Sequence, residues 1–197
     1  RFVVEKPITV TAGNAMEIPA IACPGFVFRD NYFHDHRARG LRLGASHGVI
    51  ENNRFERIKS TAISLGPHAI HGEGSWVRDI VVRGNEILDL CFDDRNFEPG
   101  AYHAGAIVVQ HFLPDADATY PQENRNIQIL ANRIRRVGGA GILATSADSL
   151  IIRDNRMEMT HLRRCDDVGA AMRIGSAAAI SLNHCTRVTV EGNRCDP

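Results

Sequence analysis

Glu73 lies between Gly72 and Gly74, with His68, His71 and Trp76 no more than five residues away. Glycines on both sides free the backbone for an unusual shape. Imidazoles can exchange protons near neutral pH, and an indole can stack on a sugar face. Two further carboxylates, Asp93 and Asp94, open the stretch DDRNFEPGAYHAG, which ends with His103 close by. The segment HDHRARG supplies Arg37 and Arg39, and Arg42 follows directly. Cleavage of a glycosidic bond needs two carboxyl groups, one giving a proton and one acting as base or nucleophile. Glu73 is the expected first member. Neighbouring side chains on an extended chain point to opposite faces, so Asp93 and Asp94 are alternatives for the second. Arg37, Arg39, Arg42, His68, His71, Trp76 and His103 are the expected substrate-binding set. His34, Asp35 and His36 lack a third convergent ligand, so no metal or other cofactor is expected.

These residues need a scaffold, and the chain announces one by repetition. An apolar alternation, an Asn, one residue and another apolar residue recur in six copies. They are FVFRDNYF (Asn31), VIENNRF (Asn53), IVVRGNEI (Asn85), IQILANRI (Asn132), LIIRDNRM (Asn155) and VTVEGNRC (Asn193). The shortest intervals are 22 and 23 residues, and the longer ones read as the same unit carrying insertions. A period of this size marks a solenoid. A second apolar strand recurs in each unit as GLRL, AISL, AIVV, GILA and AISL again. Period-two alternation and β-branched residues make these segments strands. The expected fold is all-β: a right-handed parallel β-helix with three short strands per coil and an Asn ladder at one turn. Asn suits that turn because it tolerates left-handed backbone angles and bonds nearby main chain. A leucine-rich repeat would need regular leucines and a helical return, whereas Ile, Val and Phe fill the apolar slots here.

Insertions into a coil must leave it, and four do so beside the AISL-type strands. Asp89–Gly105 and Thr160–Ala178 precede such strands, and Gly66–Trp76 and Gln110–Asn124 follow them. They are expected to wall a groove along that sheet. The 197 residues read as one β-helix domain, and neither end reads as a cap, so an excerpt of a longer chain is expected. A formal net charge of zero excludes a broad electrostatic footprint for nucleic acid. No apolar run reaches the length of a membrane span. Five cysteines without a CxxC pair argue against a zinc ribbon or disulfide framework. Cys195 occupies an apolar slot of the repeat and reads as core, whereas Cys91 and Cys165 read as inserted loop. A secreted or periplasmic setting is the expectation.

From about residue 17 to residue 90 the sequence resembles the β-helical glycoside hydrolases that include the bacterial exo-acting α-1,3-galactosidases. The resemblance rests on FVFRDNYF, Arg39-Gly40-Leu41, VIENNRF, AISL and EGSWVRDIVVRGNEI. Arg39 and Gly40 match the family's Arg-Gly-apolar element, and Glu73 and Val77 match its Glu-Ser-Gly-x-Val segment. At the family's acidic position after the strand this chain reads Gly66-Pro67-His68, with no carboxylate. The resemblance therefore implies the fold and carbohydrate chemistry, and a glycan partner. Three functions stay open: a glycoside hydrolase, a polysaccharide lyase or uronate epimerase with Arg39 or Arg42 as base and calcium bridging the substrate acid, and a non-catalytic glycan-binding or scaffold module.

Overall fold

A computed structural model describes residues 6–7, 9, 17–18, 21–68, 73–92, 105–110, 122–162 and 178–196. Among these residues seventeen strands, β1 to β17 in chain order, form three parallel sheets. Sheet A holds β1 (Val27–Arg29), β4 (Gly48–Glu51), β7 (Arg78–Arg83), β10 (Asn124–Leu130), β13 (Ala147–Arg153) and β16 (Thr186–Glu191). Sheet B holds β2 (Tyr32–His34), β5 (Arg54–Ile58), β8 (Glu86–Leu90), β11 (Arg133–Val137), β14 (Arg156–Glu158) and β17 (Arg194–Asp196). Sheet C, built from the AISL-type segments, holds β3 (Leu41–Leu43), β6 (Ile63–Leu65), β9 (Gly105–Val109), β12 (Ala140–Thr145) and β15 (Ile180–Asn183). The chain visits A, B and C in turn and then starts the next coil, which is a right-handed parallel β-helix of three strands per coil. Ile and Val occupy the core slots because branched side chains pack well on a pleated surface.

Alternation sends every second residue inward, and the parallel register stacks these residues in columns. Phe28, Ile50, Val82, Ile129 and Ile152 form one column of sheet A, and Phe33, Phe55, Ile87, Ile134 and Met157 one of sheet B. The Phe33 and Phe55 rings stack at 4.9 Å. Small residues stand opposite these large ones at the entry to sheet C: Gly40, Ala62, Ala106, Gly141 and Ala179. A methyl group at Gly40 would meet the Ala62 carbonyl oxygen at 2.6 Å and the Phe55 ring at 2.8 Å. Close approach of sheets B and C therefore dictates the small residue.

The asparagines do line up. Each ladder Nδ2 donates to the Oδ1 of the Asn one coil on, at 2.9–3.0 Å for all five steps from Asn31 to Asn193. The same Oδ1 accepts the backbone N–H of the preceding Asn at 2.9–3.1 Å. From Asn53 onward, Nδ2 also donates to a sheet A carbonyl of the coil before, such as Val82 for Asn132 at 3.0 Å. The turn chemistry differs from expectation in one respect. The left-handed backbone angle falls on the residue before each Asn: Asp30, Asn52, Gly84, Ala131, Asp154 and Gly192, with φ between 50° and 64°. The predecessor bends the chain, which frees the Asn to serve purely as a hydrogen-bonding spacer between coils.

A second left-handed column marks the corner from sheet B to sheet C: Asp35, Arg57, Asp89, Arg136 and Met159, with φ between 52° and 57°. Of the cysteines, Cys195 departs from expectation, and Cys91 lies beyond β8 as expected but deeper than a loop residue would be. Cys91 is fully buried, its thiol near the Ser60 and Gly105 carbonyls, because the apolar strand β8 carries its burial one residue further. Cys195 continues the Met157 column but is exposed, since it stands on the last described coil. Cys165 lies outside the described residues.

Candidate functional site

Two margins of sheet C carry the candidate residues. On the margin leading to sheet A, His68 and Glu73 exchange backbone hydrogen bonds of 2.8 and 3.2 Å. The His68 ring is buried, and its Nδ1 lies 3.6 Å from Oε2 of Glu73, whose side chain is 63% exposed. Gly74, at φ +74°, packs its backbone directly on Gly44, and the Ser75 N–H bonds the Gly44 carbonyl at 2.8 Å. The glycine after Glu73 takes a left-handed backbone angle, the unusual shape its type allows. Trp76 is half-buried, and its carbonyl accepts the Ser46 hydroxyl at 3.2 Å. Arg42 points outward from β3, as alternation requires, and its Nη1 donates to the Gly66 carbonyl at 2.5 Å. Arg39, two residues before the same strand, is half-buried.

The opposite margin, the corner from sheet B to sheet C, holds an open groove of about 710 Å³. Its floor is the second left-handed column. Arg57 grips Asp35 with two bonds, Nε to Oδ1 at 2.6 Å and Nη2 to Oδ2 at 2.8 Å. Arg136 Nε holds Asp89 Oδ1 at 2.5 Å. His36, Arg37, Ile58, Lys59 and Phe92 complete the lining. Lys59 stands one coil beyond His36, whose carbonyl accepts the Lys59 N–H at 3.0 Å. Among its described residues the groove holds four cationic side chains, Arg37 being one, and two carboxylates, both gripped by arginine.

Between the two margins runs the outward column of sheet C: Arg42, Ser64, Val108, Leu143 and Ser181. Val108 and Leu143 have no exposed surface. Glu73 and the groove thus lie on opposite margins of sheet C. Asp93, Asp94, His71 and His103 lie outside the described residues, Asp93 directly following the groove residue Phe92. Among the described residues no group of three or more metal-ligating side chains converges.

The paired floor was missed in the sequence, although a signal for it exists. Asp35, Arg57, Asp89 and Arg136 are each the fourth residue after a ladder Asn, so counting from the ladder would have shown the alternation of charge. Arg37 and Lys59 are each the sixth. The Arg57 guanidinium, assisted by the His34 ring, holds the Asp35 carboxyl well below the usual carboxylate range. The Tyr32 hydroxyl, at 2.7 Å, and then Arg54 lower Glu56 in the same way. A depressed folded value means these pairs stabilise the fold above the unfolded carboxylate range, near pH 4, and lose that contribution as pH falls toward the folded value. Arg57→Gln is expected to return the Asp35 titration toward about 3.9, the ordinary value, in a carboxyl-resolved NMR titration. An unmoved titration would exclude Arg57 as the cause.

Comparison with family models, with curated proteins and with solved structures finds no match to this chain.

Proposed function

We propose that this chain is a carbohydrate-active β-helix domain that holds an acidic glycan in the groove between sheets B and C. The observation that carries the reading is the charge of the groove's described residues: Arg37, Arg57, Lys59 and Arg136 against Asp35 and Asp89. Carboxylate or sulfate groups spaced along a polymer would meet a cation on successive coils, a charge-assisted contact that a neutral hydroxyl cannot match in strength. Coils stack about 4.8 Å apart, so Arg37 and Lys59 present a short periodic row to an extended chain. Phe92, an exposed ring beside the groove, offers apolar surface for the face of a sugar ring.

A hydrolytic reading retains support from a separate observation, the His68–Glu73 contact, in which a buried imidazole backs an exposed carboxylate. Binding and turnover are separable in one experiment. Polygalacturonate and a neutral polysaccharide of similar length are titrated against the protein at low and high salt, with product followed in parallel. Tighter binding of the acidic polymer, weakened by salt, is expected. The double variant Arg37→Ala/Lys59→Ala should weaken it about tenfold, each exposed charge contributing a factor of about three. Equal affinity for the two polymers, or an unaffected double variant, would remove the groove from the reading. Reducing ends without ultraviolet absorbance would identify hydrolysis, and an unsaturated product would identify elimination.

A further inference from the structure

We infer that the outer face of sheet B at β11 and β14 is a second anion-binding surface, which takes the next stretch of an acidic glycan already held in the groove; this rests on the groove reading. Arg133 and Arg135 on β11, and Arg156 and Glu158 on β14, point outward, since Ile134 and Met157 between them fill the core. The register sets Arg133 directly against Arg156 and Arg135 against Glu158. On these two strands three guanidinium groups thus share one carboxylate. Glu158 lies 2.5 Å from Arg156 and 3.9 Å from Arg133, whereas Arg135 enters no hydrogen bond or ion pair among the described residues. Arg156 has one further contact, with Asp196 at 3.7 Å. Both strands are interior to the sheet, flanked by β8 on one side and β17 on the other.

The first coils of the same face are arranged differently. Arg54 stands against Glu86 and pairs with it at 3.1 Å. Glu56 takes Arg54 at 3.0 Å and the Tyr32 hydroxyl at 2.7 Å. Glu86 is also the register neighbour of Arg133, but Arg54 holds it from the other side. Like charges set directly opposite each other in a sheet are unfavourable. A face that pairs its charges in one half and stacks arginines in the other breaks a local rule, as functional surfaces do. All three cations are Arg, whose planar fork matches a carboxylate, and Glu158 shows that a carboxylate fits beside two of them.

The patch adjoins the groove, because Arg135 directly precedes the groove residue Arg136. Lys59 follows β5, and β11 lies two strands further along the sheet. Two strand spacings and three residues of lateral offset put Arg135 about 14 Å from Lys59 along the surface. A long chain can engage both places, and the second contact then forms at high effective concentration. A disaccharide occupies one of them.

Polygalacturonate and digalacturonate are titrated against the protein at low salt, with circular dichroism confirming that each variant is folded. Arg133→Gln/Arg135→Gln should weaken the polymer about tenfold and leave the dimer unchanged, each charge contributing a factor of about three. Arg83→Gln/Arg153→Gln, on the outer face of sheet A, removes the same charge and should leave both ligands at wild-type affinity. An unaffected polymer, or an equal loss in the sheet A variant, would overturn the inference while leaving the groove to its own test, the loss on Arg37→Ala/Lys59→Ala. Equal weakening of polymer and dimer by the sheet B variant would place the whole site on that face and overturn the path from the groove.

Discussion

Asn132→Ala is expected to lower the unfolding free energy by about 4 kcal/mol, because one substitution strips partners from four buried groups. Asn132 Oδ1 accepts the backbone N–H of Asn85 at 3.0 Å and its Nδ2 at 2.9 Å. Its own Nδ2 donates to the Val82 carbonyl and to Asn155 Oδ1, both at 3.0 Å. All three asparagines are at most 2% exposed, so water cannot take over the lost bonds. A buried polar group left unpaired costs about 1–3 kcal/mol, and the missing amide adds a small void. Losses of this size are a large share of a domain's total stability. Two comparisons separate hydrogen bonding from shape. Asn132→Asp preserves volume but replaces donors by acceptors, setting a carboxylate against Asn155 Oδ1, and should cost at least as much as alanine. Asn31→Ala, at an exposed end, should cost about 1 kcal/mol, since water replaces its partners. Urea midpoints at constant m-value measure all three. Equal losses at Asn31 and Asn132 would show that the ladder is not a buried network.

The ladder was legible because its residues sit at a fixed place in a repeating pattern of alternation, and the insertions do not disturb that local pattern. The small column of Gly40, Ala62, Ala106, Gly141 and Ala179 was legible for the same reason. Division of labour within the turn was not. Asn and its predecessor (Asp, Asn or Gly in five of the six copies) are both turn residues by type, and only geometry shows which one takes φ near 55°. Cys91 lies beyond β8, as an inserted segment would have it, but its full burial was not legible, because nothing in the sequence marks where burial ends after Leu90. The groove was half legible. Arg37 was picked out by its setting in HDHRARG, whereas nothing in the local sequence sets Arg57 and Arg136 apart. Their pairing with Asp35 and Asp89 spans 22 and 47 residues, and the unequal insertions hide the common coil position. Glu73 and Arg37 were assigned to one pocket because both flank sheet C, while the strip through Val108 and Leu143 separates their margins.

Gly66→Ala is expected to cost about 3–4 kcal/mol, and its cause lies at the junction between sheet C and the Glu73 hairpin. Gly66 has φ +116°, a backbone region that side chains with a Cβ rarely enter. A methyl group there would be driven into the Gln110 carbonyl oxygen and would lie 3.1 Å from Asn124 Nδ2. Neither obstacle can swing aside. The Gln110 backbone is fixed by its N–H bond to Leu65 at 2.9 Å, and Asn124 is fully buried with Oδ1 holding the Val77 N–H at 3.2 Å. Gly66 itself is held on both sides, its N–H by the Leu43 carbonyl at 3.0 Å and its carbonyl by Arg42. Pro67 narrows the choice further by disfavouring compact angles in the residue before it. Strain of about 1–2 kcal/mol therefore adds to an overpacking cost of about 1–3 kcal/mol. Gly25 supplies the control: it also has positive φ, at +84°, but nothing lies within 4 Å of an added methyl group. Gly25→Ala should cost only the conformational part, about 1 kcal/mol. Thermal melts of the two variants distinguish steric from purely conformational loss, and equal shifts would show that the Gln110 carbonyl yields. Since Gly66 anchors Arg42 and leads into His68, the variant should also displace the Glu73 carboxylate, visible as a changed His68 imidazole resonance. A large stability loss with that resonance unmoved would mean that the hairpin is positioned by the Gly44–Gly74 contact alone.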